Sequence, residues 1–130
     1  MTWSQRLLAL AFTAAGTLHF VRTRMYEEIM PAYLPAHHEL VLASGAAEVV
    51  GAAAVLHPGT RRLGGLWLAV TLVAIFPANV QMALHPDRYP GFAPALLWVR
   101  LALQPLLVWW ALRATRPRAQ SEHRRKLKES

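Results

Sequence analysis

The chain has 130 residues, of which 55 % are hydrophobic and 16 % charged, with a formal net charge of +7 and no cysteine. A soluble domain carries about a quarter charged residues, so this composition argues against one, and the lack of cysteine excludes disulfides, iron–sulfur ligation and cysteine nucleophiles. Half of the basic residues follow Leu112, where they are better explained by a membrane than by nucleic acid. We therefore expect the lipid bilayer as a partner, and no nucleic acid.

Four apolar blocks follow one another along the chain, separated by short charged segments. Crossing the hydrocarbon core takes roughly 17–25 helical residues, which the blocks reach when their ends extend to the interfaces. We predict an all-α fold, a four-transmembrane-helix antiparallel bundle with helices over about residues 3–24, 38–57, 63–84 and 93–113. Residues 1–113 form a single membrane domain in this interpretation, and residues 114–130 a basic, unstructured cytoplasmic tail.

Two other interpretations fit these blocks less well. A soluble four-helix protein would need a charged face on each helix, whereas Leu63–Leu84 contains no charged residue. The first block also has features of a signal peptide, namely Arg6, an apolar run and small residues over Ala14–Gly16. We favour an uncleaved helix, because His19 near its end belongs to the polar set described below.

The distribution of basic residues predicts the orientation of the bundle. Lys and Arg are retained on the cytoplasmic side of a membrane. With both termini inside, ten basic residues lie inside, and only Arg22, Arg24 and Arg88 lie outside. The expected orientation is N-in and C-in.

The links between the predicted helices differ in length and character. The inner link over residues 57–62, HPGTRR, is short enough to make helices two and three antiparallel neighbours. The outer link over residues 25–36, MYEEIMPAYLPA, carries a helical apolar stripe that Pro31 and Pro35 interrupt. It predicts a short outer interfacial segment between helices one and two, although an ordinary connector fits the sequence equally well.

Several polar side chains fall inside the apolar blocks. Glu48 is the only charged residue of Leu40–Leu56, and Arg100 is the only one of Ala93–Leu112. Charges inside a membrane are costly and need a partner or a function. At a rise of about 1.5 Å per residue, the polar side chains share the outer half of the bundle. They are the candidate ligand-binding residues, His19, Glu48, Asn79, Arg100 and Gln104, with Glu48 also the candidate proton relay.

The surroundings of these residues favour a small hydrated pocket. Small residues beside Glu48, including Gly45 and Gly51, would let a neighbouring helix approach closely. Pro77 and Pro105 each free a backbone carbonyl that neighbours, side chains or water must satisfy. The sequence thus predicts an outer-leaflet polar pocket.

A simpler explanation of the polar residues stays open. In it, Glu48 and Arg100 form a buried ion pair that only fixes the helix register. Metal or haem ligation is a further alternative, but the spacing of the outer-side candidates contains no ligand motif, and we predict no metal site. Those candidates are His19, His37, His38, Glu39 and His85.

Six short segments resemble the DoxX and DoxX-like family of small bacterial integral membrane proteins. In chain order they are AGTLHF ending at Phe20, IMP and LP ending at Pro31 and Pro35, SGAAE ending at Glu48, the turn before Arg61 and Arg62, and FPAN ending at Asn79. The matching positions are His19, Pro31, Pro35, Gly45, Glu48, Pro77 and Asn79, whereas Arg100 has no assured match.

The resemblance implies a four-helix bundle in the bacterial cytoplasmic (inner) membrane. Family members are subunits associated with a terminal quinol oxidase, with thiosulfate:quinone oxidoreductase, and with membrane complexes that handle oxidative stress. For this chain, the resemblance implies a non-autonomous subunit that binds a small amphipathic, quinone-like ligand. The subunit would belong to a redox-linked assembly, with a protein partner or a second copy of the chain. No independent enzymatic activity is expected beyond that of a quinone-linked oxidoreductase subunit. The alternatives are a non-catalytic membrane scaffold and a small-solute transporter.

Overall fold

The computed structural model of the chain describes residues 1–28, 30, 33–117 and 119–130. Within these residues it is all-helical, with no strand. In chain order the elements are α1 (Trp3–Val21), α2 (Thr23–Glu28), α3 (His37–Leu56), α4 (Arg61–Leu84), a 3₁₀ turn (Pro86–Arg88), α5 (Pro94–Ala114) and α6 (Ala119–Glu129).

Three of the described helices are long and apolar enough to cross a membrane, namely α3, α4 and α5. The predicted all-α membrane protein is confirmed to that extent. The first helix, α1, has 19 residues but is not among the three. Gln5, Arg6, Thr13, Thr17 and His19 lower its hydropathy.

The helix boundaries follow local sequence signals. Thr2 caps α1 by accepting from the Gln5 backbone N–H, while the Gln5 side chain accepts from the Thr2 backbone N–H, a reciprocal pair that stabilises a helix start. The predicted helix over 3–24 is interrupted at Arg22, and the chain continues as α2. That short helix overlaps the start of the link predicted as an interfacial segment, of which Pro31 lies outside the described residues.

The tail after Ala114 differs from the expectation. It was predicted to be unstructured, whereas α6 occupies Ala119–Glu129. An ion pair one turn apart, with Arg125 Nε 3.2 Å from Glu129 Oε1, stabilises its last turn.

The long helices pack in the order α1, α3, α4, α5. Between α3 and α4, the Trp67 indole N–H donates to the Ala47 carbonyl over 2.8 Å. At the end of the bundle where α1 begins and α5 ends, here the terminal end, the Gln5 amide donates to the Ala114 carbonyl over 2.9 Å. The opposite end, at α2, is called the α2 end.

Two apolar clusters fill the bundle, one toward each end. The terminal-end cluster consists of Leu8, Ala9, Phe12, Ala52, Val55, Leu68, Leu72 and Ala111. The α2-end cluster consists of Met82, Ala83, Tyr89 and Leu97. Burial of these side chains stabilises the helix contacts and leaves the space between the clusters for the polar residues.

Candidate functional site

A cavity of about 700 Å³ lies between α1, α3, α4 and α5, with Tyr26, Met30 and Leu34 along its α2 end. Its wall shares Leu72 with the terminal-end cluster and Met82 with the α2-end cluster. The cavity therefore occupies the middle of the bundle. All five candidate ligand-binding side chains line it: His19, Glu48, Asn79, Arg100 and Gln104.

Two glycines bring α1 and α3 together next to the candidate residues. A Cβ on Gly16 would lie 2.7 Å from the Gly45 carbonyl oxygen, and a Cβ on Gly45 would lie 2.6 Å from His19 Cβ. Both distances are shorter than a van der Waals contact, so only glycine permits this approach. Since Glu48 lies one turn beyond Gly45, the contact places the carboxylate beside the His19 ring.

The His19 ring is held by the backbone of its own helix. Its Nδ1 lies 2.8 Å from the Ala15 carbonyl oxygen and 3.5 Å from Glu48 Oε2. A carbonyl can only accept, so Nδ1 carries the proton and donates it to Ala15. In the neutral ring Nε2 is then an acceptor, and the Nδ1 proton is not available to Glu48.

Two buried oxygens in the cavity wall have no hydrogen-bond partner among the described residues. They are Glu48 Oε2 and Gln104 Oε1, and the two side chains are only 5 % and 6 % exposed. Unpartnered buried acceptors cost free energy, of the order of 1–3 kcal/mol each. Their presence in a cavity wall favours a ligand with hydrogen-bond donors.

Arg100 does not pair with Glu48. Among the described residues, His19 is the basic side chain within 4 Å of the Glu48 carboxylate, and half-buried Arg100 lies elsewhere in the same cavity wall. The direct ion pair between Glu48 and Arg100, which the sequence left open, is therefore not formed. The physical reason is that a cavity, and not a packed contact, separates α3 from this part of α5.

Tyr26 is a cavity residue that the sequence interpretation missed. Its ring stacks on His19 with centroids 4.0 Å apart and planes 17° apart. Burial raises the pKa of Tyr26 above 10.0; the Glu48 charge raises it further, and the Arg100 charge lowers it. Because the chain changes direction at Arg22, between α1 and α2, no local spacing in the sequence indicates this contact.

The helix-breaking prolines do not form the site. Pro77 and Pro105 lie inside α4 and α5, but both are exposed and neither lines the cavity. The pocket expected from their freed carbonyls is instead lined by their neighbours, including Ala78 and Gln104.

His37, His38 and His85 do not line the cavity. His38 pairs with Glu27, and the His85 ring bonds the Gln81 carbonyl over 3.0 Å. In the described ranges no three His, Asp or Glu side chains converge on a metal position.

The cavity reaches the side of the bundle. Some of its wall residues are also exposed there, with Val70 68 %, Leu103 44 % and Leu40 36 % exposed. All three are apolar. An elongated apolar group bound in the cavity could thus extend along the surface that faces lipid.

Comparisons with known proteins match most of the chain to one family. The model of a domain of unknown function, DUF8561, matches residues 8–115, a range that contains every candidate residue. An aligned stretch of 72 residues is 36 % identical to the human protein named "ABC-type oligopeptide transporter ABCB9". That alignment covers 48 % of this chain and only 9 % of the human protein. No solved structure matches.

Proposed function

Because the chain belongs to the DUF8561 family, whose description names no activity, we propose its function from its cavity: it binds a small amphipathic, quinone-like ligand as a subunit of a redox-linked membrane assembly. The observation that carries this proposal is the mid-bundle cavity, apolar in most of its wall and polar at His19, Glu48, Asn79, Arg100 and Gln104. In this proposal the electrons come from a protein partner in the same membrane.

The residues present fit a quinone head group. Ligand cavities commonly enclose about 300–1,000 Å³, and this one encloses about 700 Å³. The unpartnered oxygens of Glu48 and Gln104 are available as acceptors for the hydroxyl donors of a hydroquinone. Asn79 and Arg100 are donors for the carbonyls of the oxidised form. A bound quinone supplies reversible two-electron, two-proton chemistry.

Each polar residue has a role that its geometry supports. Glu48 accepts a hydroxyl proton at Oε2, which no described donor occupies, and is the candidate proton relay. His19 is fixed in one tautomer by Ala15, so its Nε2 is a second acceptor. Tyr26, stacked on His19, limits access from the α2 end.

The side opening suits the rest of such a ligand. A quinone head fills the polar part of the cavity, and an isoprenoid tail needs an apolar exit. Val70 and Leu103, which line the cavity and are exposed on the bundle surface, offer that exit toward lipid. A water-soluble metabolite has no apolar tail that this opening could accommodate.

We further propose that α1 is a fourth membrane-spanning helix in an N-in, C-in bundle of the bacterial inner membrane. Its 19 residues extend about 28 Å at 1.5 Å per residue, close to the hydrocarbon thickness of roughly 30 Å. It packs along α3, and its buried face carries Leu8, Phe12 and His19. A basic tail then lies in the cytoplasm.

The proposed DoxX-like character rests on residues that converge in space. His19, Glu48 and Asn79 match the family pattern and line one cavity, and Gly45 makes the helix contact that places them. Pro35 and Pro77 do not line the cavity, and Pro31 lies outside the described residues.

Direct binding of quinone analogues tests the proposal. The protein is reconstituted in lipid nanodiscs, and oxidised and reduced short-chain ubiquinone analogues are titrated while the melting temperature is followed. Glu48→Gln is the site variant, and Glu39→Gln is its matched control, exposed on the same helix. We expect binding to the wild type and to Glu39→Gln, and about tenfold weaker binding to Glu48→Gln. A non-catalytic scaffold would show no binding of either form, which would overturn the proposal.

A further inference from the structure

A second pocket, of about 570 Å³, lies at the terminal end, between the start of α1 and the end of α5. It shares no residue with the mid-bundle cavity. Its wall includes the side chains of Ser4, Gln5, Trp109, Trp110, Arg113 and Arg116. We call it the seam pocket.

The walls of the seam pocket are held by hydrogen bonds between the two helices. The Trp110 indole N–H donates to Ser4 Oγ over 2.8 Å, and the Gln5 amide donates to the Ala114 carbonyl over 2.9 Å. The Gln5 side chain is also fixed by the Thr2 capping box. The pocket therefore exists before any ligand binds, which lowers the entropy lost on binding.

The charge of the seam pocket is positive and uncompensated. Arg113 and Arg116 both line it, and no Asp or Glu does. Neither arginine forms an ion pair with a described residue, and both are exposed. The Arg113 guanidinium lies 5.5 Å from the Trp109 ring centroid, a contact that orients it. Two guanidinium groups in one pocket, one of them oriented by a tryptophan ring, are suited to a phosphate, which they bind through paired N–H donors.

The position of the pocket indicates that this phosphate belongs to a lipid head group. The helix α5, with 21 residues, extends about 31 Å and so crosses one hydrocarbon thickness. Its last turn then lies at the depth of the lipid head groups, where tryptophans such as Trp109 and Trp110 are enriched. Basic pockets between membrane helices at this depth bind anionic lipid head groups.

We propose that the seam pocket binds the phosphate head group of an anionic phospholipid, with Arg113 and Arg116 as its ligands. The two tryptophans contact the glycerol and upper acyl region. The bound lipid links the ends of α1 and α5. This inference does not depend on a quinone in the mid-bundle cavity.

Lipid retention measured by native mass spectrometry tests the inference. The purified full chain is transferred to detergent and incubated with phosphatidylglycerol, with phosphatidylcholine, or with soluble glycerol 3-phosphate. The pocket variant combines Arg113→Gln with Arg116→Gln. The matched control combines Arg124→Gln with Arg125→Gln, which removes equal charge from exposed positions of α6.

We expect the wild type and the control to retain phosphatidylglycerol, and the pocket variant to retain it about tenfold less. Equal loss in the control would show that bulk charge attracts the lipid, and equal retention of phosphatidylcholine would show no head-group selection. Binding of glycerol 3-phosphate without lipid retention would identify a soluble phosphate ligand. Each of these three results overturns the inference.

A conservative variant covers the case in which the glutamine pair does not fold. Arg113→Lys with Arg116→Lys keeps both charges but removes the paired guanidinium donors. This variant is expected to keep wild-type helicity and to retain less phosphatidylglycerol. Undiminished retention would contradict recognition by the guanidinium groups.

Discussion

His19 Nδ1 lies 3.5 Å from Glu48 Oε2 across the contact between α1 and α3, yet it donates its proton to Ala15. The two side chains are neighbours because glycines at positions 16 and 45 let the helices meet. The carboxylate oxygen consequently remains without a donor among the described residues. Glu48 is therefore available to a ligand, and does not serve only to hold α1 and α3 together.

Double-mutant cycles compare His19, the neighbour of Glu48, with Arg100, the partner that the sequence left possible. Combining His19→Gln with Glu48→Gln should give a coupling energy of about 0.5 kcal/mol or more, as for residues in contact. Combining Arg100→Gln with Glu48→Gln should give a smaller one. Both are measured as apparent free energies of unfolding in SDS titrations. A larger coupling energy between Glu48 and Arg100 than between Glu48 and His19 would instead indicate an ion pair between Glu48 and Arg100.

Gly45→Ala should destabilise the protein by about 1–3 kcal/mol, because the added methyl group overpacks the contact between α1 and α3. The new Cβ would lie 2.6 Å from His19 Cβ and 2.8 Å from the Gly16 carbonyl oxygen. Gly91→Ala is the control, since a Cβ there meets nothing within 4 Å. Thermal unfolding followed by circular dichroism provides the comparison. Equal melting temperatures for the two variants would contradict the close approach.

The ionisation of Tyr26 reports the charges that face the cavity. Burial and the Glu48 charge raise its pKa above 10.0, and the Arg100 charge lowers it. Glu48→Gln should therefore lower the pKa of Tyr26, and Arg100→Gln should raise it. The titration is read as phenolate absorbance, with Tyr26→Phe subtracted. No change in either variant would mean that the ring is remote from both charges.

The same shift makes stability depend on alkaline pH. The folded pKa of Tyr26 exceeds the unfolded value, so its contribution to stability is complete below about pH 10 and is lost as the pH rises through the folded pKa. Tyr26→Phe should lose less stability over that range than the wild type does. Identical alkaline profiles would argue against a buried phenol.

Cysteine labelling tests the proposed fourth span, because the natural sequence contains no cysteine. If α1 crosses the membrane, Arg6→Cys and Arg24→Cys should react with an impermeant maleimide from opposite sides. Gly59→Cys should react from the same side as Arg6→Cys, and Asp87→Cys from the other. Labelling of positions 6 and 24 from one side would mean that α1 does not cross.

Much of the site could be predicted from single polar residues that lie within apolar segments. Glu48 and Arg100 are isolated charges in apolar blocks, and helical rise alone placed them at a similar depth to His19, Asn79 and Gln104. All five line one cavity. The small residues beside Glu48 correctly indicated the close helix contact.

The pairing inside the site could not be predicted in the same way. Depth does not specify the rotation of each helix, so opposite charges suggested Glu48 with Arg100, whereas the glycine contact turns Glu48 toward His19. Tyr26 was expected in the interfacial link. Its ring stacks on His19 because the chain changes direction at Arg22, and that break was not predicted. The seam pocket depends on two segments more than 100 residues apart, which no local pattern connects.

The mass of the protein with its non-covalent ligands, released from detergent-free polymer discs, tests the central claim most directly. The site variant Ala78→Phe places a phenyl ring in the cavity, and the control Ala46→Phe adds the same ring at an exposed position of α3. We predict one isoprenoid quinone per chain in the wild type and in Ala46→Phe, and none in Ala78→Phe. Wild-type protein that carries only phospholipid, or a quinone that Ala78→Phe retains, would contradict a quinone-like ligand in this cavity.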